Sequence, residues 1–322
     1  MSQIVVIGAG LTGLAACREL EQLGVNYTLI EVKPRLGGSI QTTRQDGFVF
    51  DNAAFDHEKN SNWPFLDALE MNEAEVLRHV GKCRDGALVV FRDGTDTLVT
   101  ALSKTLKHTV MTRMAVSSIG FVDDRRLGIC LENGLMLETR GIVAALPARY
   151  AEHMLRSLSI DAAFRLLDYE YDPTIRVSLG CHRRDLNTFD IDRAHERAAV
   201  AGAPLKFLQL YTHAELPERI PAEHVMLRVG LRLSEMIQPA NALEFVIRVL
   251  ENLPPLAHVV GWWPEGDPLT RDFPEHSANM DALDALLPPN VAIAGSDYRA
   301  RGLNDQVEQG RAAARKVAAN IG

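Results

Sequence analysis

A glycine-punctuated turn between two apolar runs near the amino end leaves this chain few folds to adopt. Ile4-Val5-Val6-Ile7 is a short continuous apolar run, followed by Gly8-Ala9-Gly10-Leu11-Thr12-Gly13. A helical segment continues to about Leu23, and a second run, Tyr27 to Ile30, ends in Glu31. The pattern reads as buried strand, tight turn, helix, strand. Gly8 permits the turn, Gly10 lets a pyrophosphate approach the backbone, and Gly13 lets helix and strand pack closely. The helix N-terminus, with Leu11 and Thr12, offers free N–H groups and a positive dipole end to phosphates. Glu31 lies about twenty residues on, where a carboxylate can accept from a ribose 2′-OH and disfavours a 2′-phosphate. Glycines that follow a strand, open a helix and lead to an acid mark a dinucleotide-binding unit; a lone glycine triplet would not.

The chain continues Val32-Lys33-Pro34-Arg35-Leu36-Gly37-Gly38-Ser39 and, further on, Gly47-Phe48-Val49-Phe50-Asp51. Here it resembles the FAD-dependent amine oxidase and protoporphyrinogen oxidase superfamily. In that superfamily a basic residue and a Gly-Gly pair follow the ribose acid and wrap the FAD phosphates. The resemblance implies FAD, bound through Gly8, Gly10, Leu11, Thr12, Gly13, Glu31, Val32, Lys33, Arg35, Gly37, Gly38 and Ser39. Ser39 stands where the family usually has arginine. Residues after the aspartate pass close to the isoalloxazine in the family, which adds Asn52 and Ala53, and Val116 matches a valine that meets adenine.

A second match runs from Ala294-Gly295 through Tyr298-Arg299, Gly302-Leu303 and Asp305 to Gly310, and is similar to protoporphyrinogen oxidases. There the loop and the following helix N-terminus face the flavin ribityl and pyrimidine. By that resemblance Gly295, Ser296, Asp297, Asn304, Asp305, Gln306 and Val307 join the expected cofactor contacts. A helix N-terminus near the pyrimidine stabilises an anionic reduced flavin. Asp305 is placed as an N-cap for a helix from about Gln306 to Ile321. Asp297 is a candidate acceptor from a ribityl hydroxyl or an ordinary turn residue.

With 322 residues the chain can bury a large core. A net charge of −8 without a compensating basic run argues against nucleic acid. Cys17, Cys83, Cys130 and Cys181 are far apart and form no CxxC pair, so no metal site is read and reduced thiols in a cytoplasmic protein are expected. No run of about eighteen apolar residues suggests a membrane span.

The remaining patterns predict a strand over residues 41–53, a helix from Asn62 to Glu75, a strand over 86–92 and a helix from Leu98 to Leu106. Thr109 to Ile119 and Arg126 to Leu137 read as paired strands, with Asn133-Gly134 a second hairpin signal. Gly141 to Leu146 reads as a buried strand, stopped by Pro147. Alternation at 174–181, 205–212, 224–233 and 256–263, with helices at 239–252 and 277–287, suits an antiparallel sheet with helices on one side. Residues 183–203 carry no readable pattern. The expected fold is α/β: a Rossmann-type FAD-binding domain (GR2-like), with an inserted α+β substrate domain built on an antiparallel sheet. The expected division is 1–60, 90–150 and 286–322 for FAD, and 61–89 and 151–285 for substrate.

Only one dinucleotide fingerprint is present, so an organic substrate is expected to give hydride to flavin N5, with oxygen or another acceptor reoxidising it. The resemblance implies protoporphyrinogen-oxidase-like dehydrogenation of a small molecule first, and an amine oxidase or a renalase-like dihydronicotinamide oxidase as alternatives. A flavin-binding protein without redox turnover is the alternative of another class. Many amine oxidases carry a lysine where this chain has Arg176, and arginine cannot act as a base. Arg176 is read as binding an anionic substrate or pairing with a carboxylate. Tyr211, His213, Trp262 and Trp263 are the other catalytic candidates, each also readable as packing.

Overall fold

The computed structural model describes residues 3–84, 86–186 and 189–321. The chain forms two compact units, one of Met1–Gly38, Leu98–Glu170 and Pro268–Gly322, the other of Ser39–Thr97 and Tyr171–Asp267.

The first unit is built on a five-stranded parallel sheet in the order Val291–Ile293, Gly141–Ala144, Ile4–Ile7, Tyr27–Glu31, Thr109–Thr112. Ile4–Ile7 lies at the centre, and its residues are buried, as parallel strands covered on both faces must be. A separate three-stranded antiparallel sheet joins Val116–Asp123, Arg126–Leu131 and Met136–Thr139. The helix Leu11–Gln22 follows the glycine turn, and the C-terminal helix Leu303–Ala319 packs on it. They approach so closely that a Cβ on Gly310 would lie 2.2 Å from Thr12 O. Buried Glu19 locks the pair, accepting from Arg311 at 2.8 Å and Arg315 at 2.6 Å. Burial opposes ionisation of Glu19, but the two guanidinium groups outweigh it and hold the carboxyl below its ordinary range.

The second unit holds a four-stranded antiparallel sheet in the order Leu205–Thr212, His224–Arg232, Thr174–His182, Ala257–Gly261. One face is apolar: Val177, Leu179, Leu227 and Val229 pack with Ala194 and Ala198 of the helix Ile191–Val200 and Phe245 and Val246 of the helix Ala242–Val249. A hairpin, Thr42–Gln45 with Phe48–Asp51, and a three-stranded sheet of His57–Lys59, Gly86–Phe91 and Leu77–Cys83 complete the unit.

The observed architecture is the α/β fold expected, with antiparallel sheets alongside the parallel one. Several elements differ. Residues 41–53 form a hairpin rather than one strand, because Asp46 (φ 51°) and Gly47 (φ 81°) make a left-handed turn. Asn62 to Glu75 breaks into Pro64–Ala68 and Glu73–Val76, since Glu70 turns left-handed at φ 58°. The run from Thr109 divides at Arg113 (φ 58°): Thr109–Thr112 joins the parallel sheet, and pairing with Arg126–Leu131 starts only at Val116. Residues 39–60, read with the nucleotide part, fall in the second unit, where Phe48, Phe50 and Phe55 pack on Leu216, Ile220 and Met226.

A dinucleotide cradle and a polar sheet face

In the first unit the turn after the central strand is made by backbone geometry. Gly8 sits at φ 95°, and a Cβ there would lie 2.2 Å from Ala145 O. A Cβ on Gly13 would lie 1.9 Å from Gly8 O. Both glycines are demanded by the protein's own packing. Gly10 is different: its φ is −69°, open to any residue, and a Cβ would meet nothing nearer than Gly38 Cα at 3.9 Å. Gly10 is also the N-cap of its helix, which carries no side-chain cap and no acidic residue in its first turn.

Glu31 ends the second strand, 6% exposed, with Oε2 accepting from Ala9 N at 2.7 Å and Oε1 from Lys33 N at 2.8 Å. Those bonds fix the carboxylate and leave each oxygen a further lone pair. Gly37 (φ 103°) donates its N–H to Ala9 O at 2.7 Å, and Arg35 binds the Leu36 and Gly38 carbonyls. The Gly-Gly pair thus lies against the glycine turn; a Cβ on Gly38 would lie 3.0 Å from Gly10 Cα. Val32 is 60% exposed, and Val116 is partly exposed at the start of its strand.

The 295–302 loop is held by side chains that capture its carbonyls. Arg271 Nη1 donates to Ser296 O at 3.1 Å and Ala300 O at 3.2 Å. Tyr169 donates to Asp297 O, and His276 Nε2 to Tyr298 O. Tyr298 in turn donates to Leu146 O at 2.9 Å. Asp297 Oδ2 accepts from Ala148 N at 2.9 Å, so this carboxylate caps the helix Ala148–Leu155. The following helix starts at Leu303 with Gly302 as N-cap, which places Asn304, Asp305, Gln306 and Val307 in its first turns. Asp305 is therefore not the N-cap; it is the third helical residue, in the first turn, and accepts from Arg301 N at 3.1 Å, bracing the approach to the helix. Asn304 Oδ1 is buried and has no hydrogen-bond partner.

Ser39, Asn52 and Ala53 belong to the second unit. Asp51, just before Asn52, is the hub of a buried network. Its oxygens accept from Thr42 Oγ1 (2.6 Å), Thr95 N (3.0 Å), Thr95 Oγ1 (2.9 Å) and Arg219 Nη2 (2.8 Å). Arg219, 0% exposed, also donates to Phe91 O at 2.7 Å. Burial works against the Asp51 carboxylate, but Arg219 and the hydroxyl and N–H donors hold its pKa below the ordinary range. With the Thr95 hydroxyl proton committed to Asp51, His57 Nε2 donates to Thr95 Oγ1 across 3.2 Å. Burial pushes the His57 pKa down to about 4 against the pull of Asp51 and Asp56.

The four-stranded sheet of this unit has a second, polar face. Arg228 pairs directly with Ser178 and Gln209, and Gly230 pairs with Arg176 and Phe207, so their side chains share that face. The glycines make room on it: a Cβ on Gly180 would strike the Phe48 ring at 2.5 Å, on Gly230 the Phe207 ring at 2.3 Å, and on Gly261 Asn52 O at 1.6 Å. Arg176 donates to Thr174 O and pairs with Asp267 at 3.2 Å. The Tyr211 ring is 5.1 Å from Phe55, and burial, with Asp56 adding, pushes its phenol up to about 12. His213 Nδ1 donates to Ile220 O at 2.6 Å. The last strand ends at Gly261, so Trp262, 41% exposed, and Trp263 lie beyond it and do not alternate across a strand.

A profile of NAD(P)-binding Rossmann-like domains matches residues 6–67. A profile of flavin containing amine oxidoreductases matches residues 53–318, most of the chain. The chain belongs to that flavin-containing amine oxidoreductase family. Coproporphyrinogen III oxidase of Bacillus subtilis (strain 168) is 43% identical over 54 residues, 15% of this chain and 12% of that protein. Protoporphyrinogen oxidase 2 of Arabidopsis thaliana is 38% identical over 52 residues, 16% of this chain and 10% of that protein. These alignments thus span only about a tenth of the curated relatives' length. Over the whole chain, a protein of Exiguobacterium sp. 255-15, provisionally assigned as a protoporphyrinogen oxidase, superposes with TM-score 0.76 at 14% identity, covering 98% of both chains. A putrescine oxidase superposes with TM-score 0.64 at 12% identity, covering 99% of both. At such identities the likeness is one of fold.

As a family member the chain is an FAD-dependent oxidoreductase, and its first unit fits that cofactor. The missing Gly10 side chain serves nothing in the protein's own packing, the helix it opens has no side-chain cap, and Asn304 Oδ1 is a buried acceptor awaiting a donor. Among the described residues no group of His, Cys, Asp and Glu could hold a metal, and no helix is long and apolar enough to cross a membrane. The sequence reading missed Arg228, Arg219, Tyr169, Arg271 and His276. Only Arg228 left a signal, as an arginine at the centre of an otherwise apolar strand core.

Proposed function

We propose that the first unit holds FAD and the second carries the substrate-binding face. The reaction is dehydrogenation of a small cyclic or conjugated organic molecule, in the manner of protoporphyrinogen oxidases, with oxygen or another acceptor closing the cycle. Bound FAD supplies the two-electron acceptor. The chain's own part is positioning. The glycine turn and Glu31 take the pyrophosphate and ribose, Asn304 and the braced 295–302 loop take a polar part of the cofactor, and the sheet face takes the substrate.

The observation that carries this reading over amine oxidation is Arg228 on the polar face, hydrogen-bonded only to neutral acceptors, while the neighbouring Arg176 is paired with Asp267. A protonated amine would meet like charge there, and neither guanidinium can accept its proton. Amine oxidation remains the second reading because the matching family profile is that of amine oxidoreductases. Anaerobic addition of a porphyrinogen, putrescine or an isomeric dihydronicotinamide to the FAD-loaded protein decides between them. Bleaching of the visible flavin band by the porphyrinogen is expected; bleaching by putrescine alone would replace this reading with the second.

A further inference from the structure

Arg228 is 3% exposed at the centre of the polar face, on the middle residue of His224–Arg232. Its guanidinium lies over the Phe55 ring at 4.3 Å and near the Phe207 ring at 5.9 Å. Nη1 donates to Gln209 Oε1 at 3.1 Å and Nη2 to Ala53 O at 3.2 Å, both neutral acceptors. Nε is buried and has no partner. Among the described residues Asp51 pairs with Arg219 and Asp267 with Arg176, and Asp56 attracts Arg228 through space without an ion-pair contact. Burial drives the Arg228 pKa down to about 10, against the pull of Asp56. A charge buried without a carboxylate in direct contact is costly to a fold, and the two aromatic rings and the pull of Asp56 offset only part of that cost. The other buried guanidinium of this unit, Arg219, has its carboxylate at 2.8 Å.

We propose that Arg228 is the docking cation for a substrate carboxylate, on an anion-selective face walled by Phe55 and Phe207. Of its five N–H donors, two are used by neutral acceptors. Gln209, partly exposed, is the acceptor that an incoming carboxylate replaces. A bidentate carboxylate then supplies the direct ion pair that the neutral acceptors do not. The aromatic walls favour an acid whose carboxylate is attached to a flat apolar body. This inference rests on reading the second unit as the substrate-binding unit.

The test is calorimetric titration of the FAD-loaded protein with three probes of one shape: benzoate, benzamide and benzylammonium. Benzoate is expected to bind at least tenfold more tightly than benzamide, with benzylammonium weakest. In Arg228→Met the preference for benzoate over benzamide is expected to vanish, and in Arg228→Lys to be partly kept. Equal binding of benzoate and benzamide by the wild type, or an undiminished preference in Arg228→Met, would overturn the proposal. Should Arg228→Met fail to fold, the wild-type probe series decides alone. FAD content is read separately from absorbance. A colourless protein that still selects benzoate sinks the cofactor reading and keeps this one; a yellow protein indifferent to probe charge does the reverse.

Discussion

In the first unit the atoms that would hold the cofactor are mostly backbone atoms, placed by glycines at Gly8, Gly13, Gly37 and Gly38, with one fixed carboxylate, Glu31. In the polar face of the second unit the atoms proposed to meet a substrate stand at the ends of long side chains, Arg176, Arg228 and Gln209, carried by three different strands. A backbone site of this kind demands glycine at fixed spacing and tolerates little else. A side-chain site demands only that neighbouring strands bring long polar side chains to one face, and Gly180, Gly230 and Gly261 let Phe48, Phe207 and the Asn52 carbonyl pack against that face. The first kind suits an invariant partner such as a dinucleotide; the second lets substrate choice change without disturbing the fold.

That contrast can be broken or sharpened by substitution. The largest effect is expected at Gly13→Val, whose Cβ would lie 1.9 Å from Gly8 O; soluble yield and far-UV circular dichroism should show loss of the fold. Next is Arg219→Met, which leaves Asp51 charged and buried without its counterion and should cost about 3–5 kcal/mol in urea unfolding. A loss below about 1 kcal/mol would show that the second unit does not depend on this pair.

The third prediction concerns pH. His57 has a folded pKa of about 4 against an ordinary 6.5, so between those values the unfolded chain binds more protons. Stability is therefore full above pH 6.5 and falls towards pH 4, by about 3 kcal/mol in all, where the loss from this group ends. Asp51, held below its ordinary range, adds stability that is present above that range and lost only at still lower pH. Unfolding measured at pH 7 and pH 5 should show a smaller difference in His57→Gln than in the wild type. Equal differences would place the titration elsewhere.

The smallest effect is expected at Glu31→Gln. The amide cannot accept from both Ala9 N and Lys33 N, and FAD affinity should fall about tenfold, or about 1.4 kcal/mol, with the fold retained. Unchanged affinity in a fluorescence titration would remove Glu31 from the cradle.

The same contrast explains what the sequence could show. The glycine turn, Glu31 and the 294–310 stretch are local, so their spacing survives in the linear chain. The strands of the antiparallel sheet also showed through, because alternation is local. The Asp51–Arg219 pair, separated by 168 positions, and the Arg228 environment drawn from three strands are products of folding alone. Errors in the elements cluster at left-handed residues that are not glycine: Asp46 in the first hairpin, Glu70 in the broken helix, Arg113 in the divided strand. Glu and Arg carry no strong turn signal, and apolar periodicity ran straight through Glu70 and Arg113; Asp46-Gly47 is a hairpin signal that the alternation on either side masked. Asp305 shows a subtler limit, since an acid inside the first turn of a helix looks like a cap when the preceding Gly302 cap has no side chain to announce it.

The most direct test of the account is FAD titration of the purified wild type and of Gly10→Val, followed by visible absorbance. A Cβ on Gly10 would meet nothing nearer than Gly38 Cα at 3.9 Å, so the variant is expected to fold with unaltered circular dichroism. The account predicts one FAD per wild-type chain and none retained by Gly10→Val. A wild type that takes up no FAD, or a folded Gly10→Val that binds it as tightly as the wild type, would contradict it.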